Sequence, residues 1–133
     1  MFELMLAILR DKLDTNNRVN ILRSSKDSDL AKYFDFFGAL GSTHMAEDGL
    51  IYVKIHDVGG ATRGTWFEEF GHALQYLKYG NVELSVDSEE RCRREIEVAN
   101  CLIKNATRLR LSKNDVTHCQ AAIQVYGGTT YGS

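Results

Sequence analysis

The segment 66–79 limits what this chain can fold into more than any other stretch. At 100° per residue it places Trp66, Phe70, Ala73 and Leu77 within about 60° of one another, a stripe that must meet a core. Glu68, Glu69, His72, Tyr76 and Tyr79 fill a second arc of about 100°, leaving Gly71, Gln75 and Lys78 for solvent. A helix with this much aromatic mass and this little mobile charge is covered on most sides. Its carboxylates and imidazole must then be paired, hydrogen-bonded or metal-bound, because burying them bare is costly.

The flanking patterns say what covers it. Over residues 50–56, Ile51, Val53 and Ile55 alternate with Tyr52, Lys54 and His56, the period of a half-buried strand. Gly59, Gly60 and Gly64 then allow a tight passage into the helix, which ends at Gly80. Upstream, residues 2–13 read as a helix with Phe2, Met5, Leu6 and Leu9 on one side, stopped by the Asp14-Thr15-Asn16-Asn17 cluster. Residues 19–22 read as a short strand, and 27–37 as a helix carrying Leu30, Phe34 and Phe37, closed by Gly38. Downstream, Asp87 with Glu90 has the D-x-x-E form of a capping box and opens a long helix to about Leu109. Ser112 with Asp115 repeats the signal for a last helix ending near Gly127. Proline is absent, so glycines and caps set these ends.

Helices and short strands followed by three helices predict an α+β domain, mostly helical, with a short antiparallel sheet before the 66–79 helix. At 133 residues without linker or repeat, residues 1–133 are expected to form one domain.

A net charge of -2 supplies no global field for nucleic acid or an anionic membrane. Arg91, Arg93, Arg94, Lys104, Arg108, Arg110 and Lys113 do cluster, but Glu89, Glu90, Glu95 and Glu97 interleave with the first of them, as on a solvated helix face. The apolar run 4–9 follows Glu3 rather than a basic segment and is far too short to span a bilayer. Cys92, Cys101 and Cys119 lack C-x-x-C spacing, and a rigid helix holds the first two apart, which predicts free thiols in a reducing, cytoplasmic setting. Cys92 and Cys101 are expected as small core residues.

The sequence Glu68-Glu69-Phe70-Gly71-His72-Ala73-Leu74-Gln75 resembles the H-E-x-x-H motif of zincin metallopeptidases, in the H-E-x-G-H-A-x-Q form of small bacterial and phage members. Glu69, Gly71, His72, Ala73 and Gln75 match, and Glu68 stands where the first histidine belongs. The resemblance extends to Arg94-Glu95-Ile96-Glu97-Val98-Ala99-Asn100, similar to the distal E-x-E-A-N-like segment of the ImmA/IrrE-like gluzincins with the spacing changed by one. It covers roughly residues 50–110.

It implies a divalent metal, zinc in the family, held by Glu68, His72 and a distal carboxylate, with Glu69 as general base and a protein or peptide as substrate. Periodicity favours Glu95 over Glu97 as that carboxylate, since Glu95 borders the stripe Cys92, Ile96, Ala99, Ile103 and Ala106. The family also implies that the 50–56 strand lines the substrate cleft. Two carboxylates and one imidazole are a harder ligand set than the usual one, which weakens selectivity for zinc over manganese or iron.

Blander readings stand beside these. Thr65-x-x-Glu68 is itself a capping box, and Glu68 with His72 is an i, i+4 ion pair. His56 and His44 can replace the missing imidazole, His56 can face substrate, or both can be exposed strand residues. Tyr76 can hold an oxyanion or substrate, as can Tyr79, or either can be a core aromatic. His118 and Cys119 diverge by about 100° on a helix, which argues against a metal role for them. The sequence thus supports a metal-dependent hydrolase, an inactive zincin-like binding or regulatory protein, or a small interaction protein of phage or mobile-element type; it sets no oligomeric state.

Overall fold

Ile51, Val53 and Ile55 form the buried face of a central strand in the computed structural model, which describes residues 18–82 and 88–130. In chain order, β1 (Val19–Arg23), a 3-10 turn at Ser24–Lys26, α1 (Ser28–Phe37), β2 (Gly41–Met45) and β3 (Ile51–Ile55) come first. A second 3-10 turn at Asp57–Gly59 leads to α2 (Arg63–Tyr79), α3 (Glu89–Lys104) and α4 (Lys113–Thr130). The class is α+β, as the patterning predicts. The expected helix at 2–13 and Asp87 of the expected capping box lie outside the described residues.

Among the described residues the sheet order is β1-β3-β2. β3 pairs antiparallel with β2, Thr43 opposite Val53, but parallel with β1, Val19 opposite Ile51. The sheet is therefore mixed rather than wholly antiparallel. A parallel pair needs a long crossover, and α1 with β2 supplies it.

One face of the sheet packs on the predicted stripe of α2. Val19, Ile51, Val53 and Ile55 meet Phe70, Ala73 and Tyr76, with Trp66 and Leu77 at the margin. Each fully buried side chain of this size stabilises by about 1.5–3 kcal/mol. On the other side of α2, Phe67 joins Val98, Ala99 and Leu102 of α3, Leu109, and Cys119 of α4. The helix is thus sandwiched between a sheet and a helix pair, which is why so little of it is charged.

The caps decide what the site residues are free to do. Asp27 caps α1 by accepting from the amides of Asp29 and Leu30, each at 3.1 Å, and Gly38 closes it with φ 66°. α2 starts earlier than expected because Thr62 is its cap, and its capping-box partner is Thr65. Glu68 takes no part in that box. Ser88 caps α3, accepting from the Arg91 amide at 3.2 Å, and the helix stops at Lys104, short of Leu109. The core stripe of α3 is Cys92, Val98, Ala99 and Leu102, together with a buried Arg94. That guanidinium leaves the solvated face to bond Glu90 and the carbonyls of Gly80 (2.8 Å) and Asn81 (3.3 Å).

Ser112 and Asp115 bond reciprocally as predicted, at 3.0 and 3.3 Å. Asp115 does more: it accepts from the Thr62 hydroxyl and, at 3.3 Å, from the Gly64 amide. The first turns of α2 and α4 are locked together by this carboxylate. Of the free cysteines, Cys92 and Cys119 are buried, whereas Cys101 is exposed rather than in the core. No helix among the described residues is long and apolar enough to cross a membrane.

Candidate metal centre

Glu68 and His72 lie one turn apart on α2, and Glu95 faces them from α3. One ligand atom from each lies within 4.8 Å of the other two. The His72 Nε2 to Glu95 Oε2 separation is 3.4 Å. A charge-assisted hydrogen bond would be shorter, roughly 2.7–2.9 Å. Two ligands at about 2.1 Å from a tetrahedral ion are about 3.4 Å apart. The spacing and the donor types fit a divalent cation. The trio opens onto a cavity of about 490 Å³, also lined by Thr43, Glu69, Tyr76 and His118.

Gln75 sets the orientation of the imidazole. Its amide nitrogen donates to the Arg94 carbonyl at 2.9 Å and to Glu97 Oε1 at 2.8 Å, so its oxygen is left as an acceptor 2.9 Å from His72 Nδ1. Nδ1 therefore carries a proton and Nε2 faces the carboxylates, the arrangement that outer partners impose on ligating histidines. The helical wheel assigns Gln75 to solvent, but it is buried, because its partners come from α3. Glu97 is exposed and holds Gln75 and, at 2.9 Å, the Tyr79 hydroxyl. Of the two carboxylates weighed as distal ligands, Glu95 is the one in the cluster.

Glu69, on the wall of the same cavity, reaches toward β2. Thr43 Oγ1 donates to its Oε1 at 2.9 Å, and Gly41 crosses so closely that a Cβ there would sit 2.9 Å from Glu69 Cγ. Burial pushes the Glu69 carboxyl up to about 7, against the opposing charge of His72. Burial also raises Glu68, offset in part by His118 and His72. For His72, burial works against the imidazolium, but the contact and charge of Glu95, then Glu69, raise it to about 9. Burial would raise Glu95 as well, yet the same His72 contact and charge hold it below the ordinary carboxylate range. The metal-free centre is thus an imidazolium–carboxylate pair beside a carboxyl poised near neutrality.

The remaining expected residues divide. Tyr76 is buried on the cavity wall, its ring 5.5 Å from the Arg94 guanidinium. His56 is not at the cavity: β3 ends at Ile55 and the chain turns, so His56 is buried between Ser24 Oγ (2.8 Å from Nδ1) and Asp35 Oδ1 (2.7 Å from Nε2), stacked on Phe34. His44 stacks on Tyr52 instead of joining the cluster. The cleft is bordered by Gly41, Ser42 and Thr43 of β2, not by β3. His118 was set aside on the wheel, but its Nε2 lies 3.4 Å from Glu68 Oε2. Cys119 does diverge from it, into the Phe67 cluster, where burial raises its thiol to about 11.

No family model, curated protein or solved structure matches this chain. The site therefore stands on its own geometry.

Proposed function

We propose that this protein is a metallopeptidase-like hydrolase of zincin type, in which Glu68, His72 and Glu95 hold a divalent metal ion and Glu69 is the general base. The observation that carries the reading is the convergence of three donor atoms from two helices, within 4.8 Å of one another, beside a cavity. When bound, such an ion polarises a substrate carbonyl and acidifies water at the site. Glu69, on the wall of the same cavity and next to the ligand Glu68, would take a proton from the attacking water and return it to the leaving amine. Gln75 fixes the His72 tautomer, and Tyr76 lines the wall against a protein or peptide substrate. The harder donor set makes manganese or iron competitors of zinc. The free thiols fit a reducing, cytoplasmic setting.

A second reading, an inactive zincin-like binding or regulatory protein, is favoured by one observation. His72 is already paired, to Glu95 at 3.4 Å and Gln75 at 2.9 Å, without any ion. Elemental analysis of untagged protein separates the two. Stoichiometric metal in the wild type, lost in both His72→Ala and Glu95→Ala, supports the hydrolase. Glu69→Gln should then keep the metal and abolish peptide cleavage, since the ligands remain and the base is gone. A wild type that takes up neither zinc nor manganese on dialysis leaves the binding module.

A further inference from the structure

His118 is not used by the reading above, yet its place is fixed by the fold. Asp115 binds α4 to the first turn of α2 through Thr62 and Gly64. Gly64 is required for that approach, because a Cβ there would lie 2.5 Å from Asp115 Oδ1. One turn further along each helix stand His118 on α4 and Glu68 on α2, and the same crossing sets them side by side. Another turn on, Ala122 borders the same space beside Glu68 and Glu95.

The distance is informative. His118 Nε2 is 3.4 Å from Glu68 Oε2, the same separation as His72 Nε2 from Glu95 Oε2. Both exceed the roughly 2.7–2.9 Å of a charge-assisted hydrogen bond. Both equal the edge of a tetrahedron whose ligands lie about 2.1 Å from its centre. One contact runs from α2 to α4 and the other from α2 to α3, both at the wall of the same cavity; His118 itself lies outside the three-residue group within 4.8 Å and must turn inward to join it. The His118 side chain is 70% exposed, so it can rotate onto a shared ion without disturbing the core.

Resting on the metal-centre reading, we propose that His118 is the fourth protein ligand, a second imidazole that α4 supplies where the motif helix carries Glu68 instead of histidine. The centre would then take two carboxylates and two imidazoles from three helices, with water as a fifth ligand for the hydrolysis, and ion binding would clamp α4 onto α2 and α3.

Titration of the untagged full chain with cobalt(II) and zinc alone, followed by visible spectroscopy and competition, tests this. His118→Ala should weaken binding by more than about 100-fold, beyond the 10–100-fold that loss of an outer partner brings, and change the cobalt spectrum. His118→Gln, whose amide can still reach Glu68 but is a poor metal ligand, should lose as much. His118→Cys should restore binding and add a thiolate-to-cobalt charge-transfer band absent from the wild type. Metal-free melting temperatures verify that each variant folds. Wild-type affinity and spectrum in His118→Ala, retained affinity in His118→Gln, or no such band in His118→Cys overturns the ligand role while leaving the three-ligand reading intact. A wild type that binds neither ion overturns both.

Discussion

Thr43, on the sheet edge, donates its hydroxyl proton to Glu69 of α2 across 2.9 Å. Gly41, two residues earlier on the same face of β2, closes over the same carboxyl, its missing Cβ leaving 2.9 Å to Glu69 Cγ. The edge strand therefore both buries the proposed base and gives it one hydrogen bond, and burial dominates.

A pH dependence of folding follows from that burial. Folding raises the Glu69 carboxyl from 4.5 to about 7. Below 4.5 the group is protonated in both states and the native state incurs no penalty. As pH rises to 7 the unfolded chain releases its proton first, so stability falls on the order of 3 kcal/mol through this window. Glu69→Gln should abolish that loss. His72, raised to about 9 mainly by Glu95 and in smaller part by Glu69, contributes stability that is full below 6.5 and lost toward pH 9, for the most part above the window compared. Urea melts of chelator-treated wild type and variant at pH 4.5 and pH 7 measure the difference; parallel pH slopes would contradict it.

Gln75 should matter to metal affinity although it touches no ion. Gln75→Leu removes the acceptor for His72 Nδ1 and strands the partners on α3, so affinity should drop about 10–100-fold and stability by about 1–3 kcal/mol. Glu97→Gln should leave affinity close to wild type, since Glu97 lies outside the cluster. Calorimetric zinc titration of both variants gives the order, and the reverse order would show that Glu97, not Glu95, serves the centre.

His56 should prove structural. It joins Ser24 after β1, Asp35 of α1 and the end of β3 through bonds at 2.8 and 2.7 Å. His56→Ala should cost about 1–3 kcal/mol in a denaturant melt and leave zinc affinity and cleavage unchanged. A raised KM with unaltered stability would return His56 to the substrate site.

What could be read in advance was whatever depends on periodicity. The α2 stripe, strand β3 and the choice of Glu95 follow from 3.6- and 2-residue repeats, and each keeps its place in the fold. β2 was missed because Gly41-Ser42-Thr43-His44-Met45 has no apolar alternation. The α2 cap was misplaced because Thr62 and Thr65 are both good caps only three residues apart, and Thr62 prevails with Asp115 also on its hydroxyl. Gln75 and His118 depend on partners from other helices, and no local pattern states how α3 and α4 are rotated against α2. His56 was assigned to a strand that ends one residue before it.

The contact between Gly64 and Asp115 is where that rotation is set, so it is the place to test whether the helix crossing governs the site. Gly64→Ala places a Cβ 2.5 Å from Asp115 Oδ1 and must push α4 outward, costing about 1–3 kcal/mol. His118 moves with α4, so zinc affinity should fall although no ligand has changed. Asp115→Ala alone should cost about 0.5–2 kcal/mol as the Ser112 and Thr62 contacts are lost. In that background the carboxylate is gone and only the Cβ of residue 115 stays close, at 2.9 Å, so Gly64→Ala should cost less than in the wild type. A double-mutant cycle of urea melts reads the coupling directly, and strictly additive costs would mean that Asp115 does not hold α4 in register with α2.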